Sequence, residues 1–343
     1  MVAAELRRAL SRRFYVRSRT ARTAALRLAY LAYTRGLLGF DDGLEINPEA
    51  VQSLRARIEQ LFTEDWEDAQ AGLYPREVIE SLPWLEYAQA APRLLADLPR
   101  TRARMERADF RDVPGSERYP SYYARNFHYQ SDGYLGHTSA QLYDLQVELL
   151  FGGTADAMRR RLIPPVVRLA RALDKPHLRV LDVACGTGHF LKMLGAALPE
   201  ARLTGLDLSP HYLSRARETL PRELDLSLVC DNAEKMPFPD GYFDAATSVF
   251  LFHEVPEDVA AKVLAEMARV VRKGGLVVVA DSIQLADAPE LRQEILGFPA
   301  RFHEPYYKGY VEDDLATRVA EAGLSVVETK LAFLTKVVVA RLS

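Results

Sequence analysis

Cysteine is nearly absent from this chain, with only Cys185 and Cys230 among 343 residues. Two cysteines cannot build a disulfide framework or a Cys-rich zinc site. Both fall in segments that read as strand ends, which suits a reducing cytoplasm. A long hydrophobic run is lacking as well. The longest near the start, from Ala24 to Phe40, is broken by Arg27 and Arg35 and falls short of the ~20 apolar residues of a membrane span. No compact apolar stretch with a small-residue cleavage site follows the early arginines, so no signal peptide is expected. A strong net charge is missing too: 44 basic against 47 acidic side chains leave -3, so the whole chain implies no nucleic-acid partner. There is no internal repeat and no low-complexity segment. What remains, 48% apolar and 27% charged residues, has the proportions of a soluble globular protein. The length accommodates an α/β domain of ~200 residues plus a second unit.

The charge is unevenly placed. Residues 1–40 hold nine arginines and one glutamate, so the remainder must carry -11. A basic helix of this kind suits an anionic membrane surface, a nucleic acid, or its own protein with arginines on the wet face. Leu6, Leu10 and Phe14, then Leu28, Leu31 and Ala32, favour the last reading because they mark one apolar stripe. Leu28, Leu31, Tyr33, Leu37 and Leu38 are apolar enough to support a homodimer.

The first ~165 residues read as helices and loops. Asn47-Pro48-Glu49 opens a helix with a capping side chain, a proline and an acid. Val51, Leu54, Ile58, Leu61 and Phe62 give that helix its buried face. Pro75, Pro83, Pro92 and Pro99 are expected to cut the next stretch into short helices. From Leu178 onward, short β-rich runs alternate with helical segments. The runs are 178–183, 202–207, 224–230, 243–249 and 276–280, with helices near 188–198, 210–219 and 257–272. Such alternation specifies a parallel sheet covered on both faces. A helix from Glu312 to Ala322 and two runs, 325–330 and 334–341, close the chain. Those two runs should pair antiparallel at one sheet edge. The expected division is therefore 1–165, a helical unit, and 166–343, a ligand-binding α/β domain.

The strongest local signal is Val180-Leu-Asp-Val-Ala-Cys-Gly-Thr-Gly-His-Phe190. A buried strand runs into a tight turn with Gly186 and Gly188, where bare backbone lets a ligand approach. Leu191 stands where a dinucleotide fingerprint would place its third glycine. Asp207 ends the next strand, where a carboxylate can accept bonds from both hydroxyls of a ribose. Asp231-Asn232 follows the third strand and can bracket an adenine. Three strand ends in succession thus supply a glycine turn, an acid and an acid–amide pair on the ligand-binding edge.

With these residues in place, 178–341 resembles the class I S-adenosylmethionine-dependent methyltransferases. Asp182-Val-Ala-Cys-Gly-Thr-Gly188 looks like the family's glycine motif, and Arg272-Lys-Gly-Gly275 like its turn before the fifth strand. The resemblance implies a seven-stranded sheet ordered 3-2-1-4-5-7-6 with the last strand antiparallel. It also implies S-adenosylmethionine as cofactor and S-adenosylhomocysteine as product, held by Asp182, Ala184, Gly186, Gly188, Asp207, Leu208, Asp231, Asn232 and Ser248. Ala184 departs from the glycine that many members carry there.

Methyl transfer from a sulfonium is an in-line displacement that asks mainly for alignment, dryness and sometimes a base. No metal is expected: the seven histidines show no ligand spacing, and Asp231-Asn232 is better used on adenine. His253, at the fourth strand's end with Glu254 beside it, is the candidate base. The stretch 119–134 is crowded with rings and adds His128 and Tyr123 as catalytic candidates, with Tyr122, Tyr129 and Tyr134 as substrate contacts. Tyr306 and Tyr307 belong to a second cluster that would face the first across a closed pocket. The expected activity is methylation of a small aromatic or lipid-like acceptor beneath a lid. Two other readings stand beside it: an RNA or protein methyltransferase docking through the arginine-rich start, and a non-catalytic cofactor-binding regulator.

Overall fold

The computed structural model describes residues 2–32, 48–80, 84–105, 116–125, 127–129 and 133–343. Seven strands alternate with helices from Arg179 onward: β1 (Arg179–Val183), β2 (Arg202–Asp207), β3 (Leu226–Cys230), β4 (Phe243–Val249), β5 (Val271–Ser282), β6 (Leu324–Ala332) and β7 (Thr335–Leu342). They form one sheet ordered β3-β2-β1-β4-β5-β7-β6. The first five are parallel to one another, and β7 runs antiparallel to both β5 and β6. This is the order implied by the resemblance. Every residue of β4 but its last is buried, as is most of β5, as expected of central strands covered on both faces.

Among the described residues, seven α-helices precede the sheet: α1 (Val2–Leu31), α2 (Pro48–Gln70), α3 (Arg76–Glu80), α4 (Trp84–Met105), α5 (His137–Leu150), α6 (Ala155–Arg160) and α7 (Ile163–Ala172). Between strands lie α8 (His189–Ala197), α9 (Pro210–Thr219) and α10 (Glu257–Val270). After β5 come α11 (Arg292–Phe302), α12 (Tyr307–Glu312) and α13 (Leu315–Glu321). Buried side chains of α2, α6 and α7 share one continuous apolar core with the strands.

Three local expectations are corrected. First, α4 runs through Pro92 and Pro99 instead of breaking at them. The two prolines are seven residues apart on the exposed face, so the carbonyls they free meet water, while Ala90 and Leu94 pack against Leu142 and Leu145 of α5. Second, the helix expected over 312–322 is divided, because Asp314 accepts from the backbone N–H groups of Ala316 and Thr317 and starts α13 afresh.

Third, α1 docks on its own protein through a face other than the stripe of Leu10, Phe14 and Leu28. Those three are 56%, 76% and 68% exposed. Tyr15 and Thr23 are buried instead. The Tyr15 hydroxyl donates to Asp65 at 2.7 Å, and Arg19 and Arg22 donate to the carbonyls of Ile79 and Gly153. Asp65 is the reason: fully buried, it receives both arms of Arg160 at 2.8 and 2.6 Å and the Tyr74 hydroxyl at 2.8 Å. A buried carboxylate needs such donors, and their supply fixes the rotation of α1. Among the described residues no helix is long and apolar enough to cross a membrane.

Candidate active site

Parallel strands put their carboxyl ends on one edge, and the glycine turn after β1 opens it. Gly186 and Gly188 both have positive φ, and a Cβ on Gly188 would stand 2.7 Å from a Leu220 methyl. Glycine is therefore required there. Ala184 adopts φ 57° as well, a left-handed conformation that costs a side-chain-bearing residue ~1–2 kcal/mol. The turn thus keeps the conformation of its motif even where alanine replaces glycine.

Two acids flank this turn without a cation beside them. Asp182, 2% exposed, accepts the Thr247 hydroxyl at 2.8 Å, and burial pushes its carboxyl up to about 7. Asp207 accepts from the N–H groups of Gly186 and Ser209, both at 2.8 Å, yet burial still pushes it up to about 6. A ligand bringing an ammonium group to Asp182 and hydroxyls to Asp207 meets what these groups lack. Ser248 donates to the Val183 carbonyl at 3.0 Å, locking β4 to β1 below the turn. Leu208 follows Asp207, and its carbonyl faces the Cys230 thiol at 3.6 Å. At the end of β3, Asp231 accepts from the Asn232 N–H at 2.7 Å, so the acid and the N–H proposed for adenine stand side by side.

The aromatic loop divides between two places. Tyr122 and Tyr123 belong to the cofactor end. The Tyr122 hydroxyl donates to Glu234 at 2.6 Å, beside Asn232. Burial and the nearby Asp207 carboxylate push the Tyr123 hydroxyl well above its ordinary value, while Ser209 donates to the Tyr134 carbonyl at 2.8 Å. Tyr134 turns the other way, towards the end of β4, and donates to Glu254 at 2.6 Å. Its ring stacks on Phe127 at 5.2 Å and lies edge-on to Tyr212 at 5.5 Å. The side chain of Tyr129 lies outside the described residues.

Around Glu254 a buried polar cluster assembles. His128 places Nε2 3.3 Å from Glu254 and Nδ1 3.0 Å from Glu304. His253 lies with Nδ1 2.5 Å from Asp281, which also accepts from the N–H groups of Phe252 and Ser282. Asp281 and its neighbouring acids push the His253 imidazole up to about 10 against the opposing effect of burial, so at neutral pH His253 carries its proton. Tyr307 and Tyr310 pack against His253 with ring centroids 5.8 and 6.1 Å away. Tyr306 joins Phe127 at 6.5 Å.

Glu304 and Asp281 were not singled out in the sequence. Asp281 had a readable signal, an acid at the carboxyl end of β5. Glu304 lies inside the second aromatic cluster, but no local spacing ties it to His128. A third addition comes from α5: Asp144 accepts the Thr187 hydroxyl of the glycine turn at 2.9 Å. Asp156 of α6 holds His189 at 2.9 Å. The helical unit thus grips the start of α8 directly.

Residues 180–275 match the family described as a methyltransferase domain. The ubiquinone/menaquinone biosynthesis C-methyltransferase UbiE of Burkholderia cenocepacia is 34% identical over 165 residues, 47% of this chain and 64% of that protein. The demethylmenaquinone methyltransferase of Thermus thermophilus is 38% identical over 141 residues, 41% of this chain and 60% of that protein. The chain therefore spans less than two thirds of the length of these curated relatives. A solved magnesium protoporphyrin IX methyltransferase from Synechocystis with bound SAH has a TM-score of 0.42 at 16% identity, covering 56% of this chain and 86% of that one.

Proposed function

The sheet domain of this chain is a class I, S-adenosylmethionine-dependent methyltransferase domain, and from that premise we propose that the whole protein methylates a small organic acceptor in a closed pocket. The cofactor supplies an electrophilic methyl group. Asp207 receives the ribose hydroxyls, Asp231 and Asn232 bracket the adenine, and Asp182 faces the methionine ammonium. Tyr123 closes over the ribose end from the side of Asp207 and Ser209.

The observation that carries the small-molecule reading is the meeting of His128, Tyr134, Glu254 and Glu304 beyond the end of β4. Phe127 and His128 meet Tyr306 and Glu304 there, which supports an enclosed site for a small acceptor. An acceptor lies against the Tyr134, Tyr306 and Tyr307 rings, and the carboxylate-rich cluster favours the loss of its proton. Two relatives are named for methylation in ubiquinone or menaquinone synthesis, so an oxygenated ring attacked at carbon is the favoured acceptor. Carbon methylation replaces a C–H bond with C–CH3, and the departing proton needs an acceptor. The docking-arm alternative loses support because Arg12, Arg19 and Arg22 are engaged by the protein's own oxygens.

Calorimetry with S-adenosylmethionine and a labelling assay on fractionated extract test the proposal. Wild type should bind the cofactor and Asp207→Ala should not. Methyl label should enter the low-mass organic-soluble fraction. Label found in RNA or protein instead would overturn the small-acceptor reading.

A further inference from the structure

The acceptor side of the site contains a grouping that methyl transfer does not by itself demand. His128, Glu254 and Glu304 each offer one donor atom, and the three atoms lie within 4.8 Å of one another. Donors bound at ~2.0–2.2 Å to one cation sit roughly 3–4 Å apart, so a small inward shift of side chains would complete a coordination sphere. The residues are 126 and 50 positions apart along the chain, which explains why local spacing carried no sign of them.

Glu304 is the informative member. Its side chain is 0% exposed, and among the described residues neither carboxylate oxygen receives a hydrogen bond. His128 Nδ1 stands 3.0 Å away without the alignment of one. A carboxylate buried in this state costs several kcal/mol unless something positive meets it. Glu254 adds a second acid, 3.7 Å from His253 Nε2, and Glu304 is the one of the two whose carboxylate oxygens receive no hydrogen bond among the described residues. Around these donors the supporting contacts of a metal site are in place: Tyr134 donates to Glu254 at 2.6 Å and orients it. His128 is held at φ 57° in a short 3-10 turn, a strained conformation that places its ring between the two acids. Its side chain is 19% exposed, which gives an ion a way in.

We propose that His128, Glu254 and Glu304 form a binding site for one divalent transition-metal cation on the acceptor side of the cofactor pocket. One imidazole nitrogen and two carboxylates suit Mn2+, Fe2+ or Zn2+ better than a soft ion. Three protein ligands leave further positions open. On the functional reading above, a hydroxyl oxygen of the acceptor would take one of them, where the cation would lower the hydroxyl's pKa so that its proton passes to water, and would fix the ring before the cofactor methyl. The site itself rests on the three side chains and not on that reading.

Titration of the full-length, metal-stripped protein with Mn2+ and with Zn2+ by calorimetry, and with Mn2+ by electron paramagnetic resonance, tests the site. Wild type should take up one equivalent. Glu304→Gln and His128→Ala should each weaken uptake by at least about tenfold, with S-adenosylmethionine affinity unchanged within about twofold. Glu304→Asp, which keeps the charge, should recover part of the uptake. Absence of stoichiometric uptake in wild type, or equal uptake by Glu304→Gln, overturns the site. The cofactor titration doubles as the check on folding and separates the two proposals. Cation uptake without cofactor binding sinks the methyltransferase reading and leaves the site standing. Cofactor binding without cation uptake does the reverse.

Discussion

Asp182 and Asp207 show how a site can be assembled around an absent charge. Asp182 is buried and Asp207 half-buried, each is pushed upward, to about 7 and about 6, and among the described residues neither has a cation beside it. Ionising them in the free protein opposes folding: stability from these groups is present near pH 4 and lost as pH rises through 6 to 7. Cofactor binding should show the opposite trend, because both acids serve as carboxylates. The affinity for S-adenosylmethionine is expected to drop about tenfold or more between pH 8 and pH 5.5, measured by calorimetry. Asp182→Asn should bind more weakly at pH 8 and flatten the part of the curve near pH 7. A pH-independent affinity in wild type would refute the assignment. These two acids were legible in the sequence because each sits at a fixed offset from a strand end and a glycine turn. The state of His253 was not legible. Its position could be read, but the charge it carries depends on Asp281, 28 residues away on the neighbouring strand.

At the scale of elements, β-strand period and turn residues are strong local signals, and the sheet could be read nearly strand by strand. The rotation of α1 could not. Its sequence offers an apolar stripe at Leu10, Phe14 and Leu28, and periodicity alone assigns that stripe inward. The need of one buried carboxylate outweighs it. Asp65 collects Tyr15, Tyr74 and Arg160 at 2.6–2.8 Å, and an unpaired charge there would cost more than leaving three apolar side chains wet. Asp65→Ala should therefore destabilise the protein by about 3–5 kcal/mol, since it strands the Arg160 guanidinium in the interior. Tyr15→Phe removes one donor and should cost about 1–2 kcal/mol. Urea unfolding followed by circular dichroism reads both. Equal, small effects would mean that the Asp65 cluster does not hold α1. The same reasoning explains α4, whose prolines are tolerated because both face water.

At the scale of the molecule, the two sides of the site differ in how the chain builds them. The cofactor side uses consecutive strand ends, so its parts are close in sequence and their order is diagnostic. The acceptor side gathers 127–128, 133–135, 253–254, 281–282 and 304–310 onto one edge. The two ring clusters could be read as facing each other, but the approach of His128 to Glu304 exists only once the helical unit has packed across the sheet. Tyr134 is the residue where this matters most. Its carbonyl accepts from Ser209 on the cofactor side and its hydroxyl holds Glu254 on the acceptor side, so one loop residue couples the two halves. Tyr134→Phe keeps the ring, its packing and the backbone contact while freeing Glu254. It should leave cofactor affinity within about twofold and lower turnover by about 10- to 100-fold, as loss of an orienting hydrogen bond does. The split between calorimetric affinity and turnover of the labelled product decides the matter. A parallel fall in both would mean that Tyr134 acts on the fold of the loop, whereas turnover lost alone would establish it as a positioning residue for Glu254.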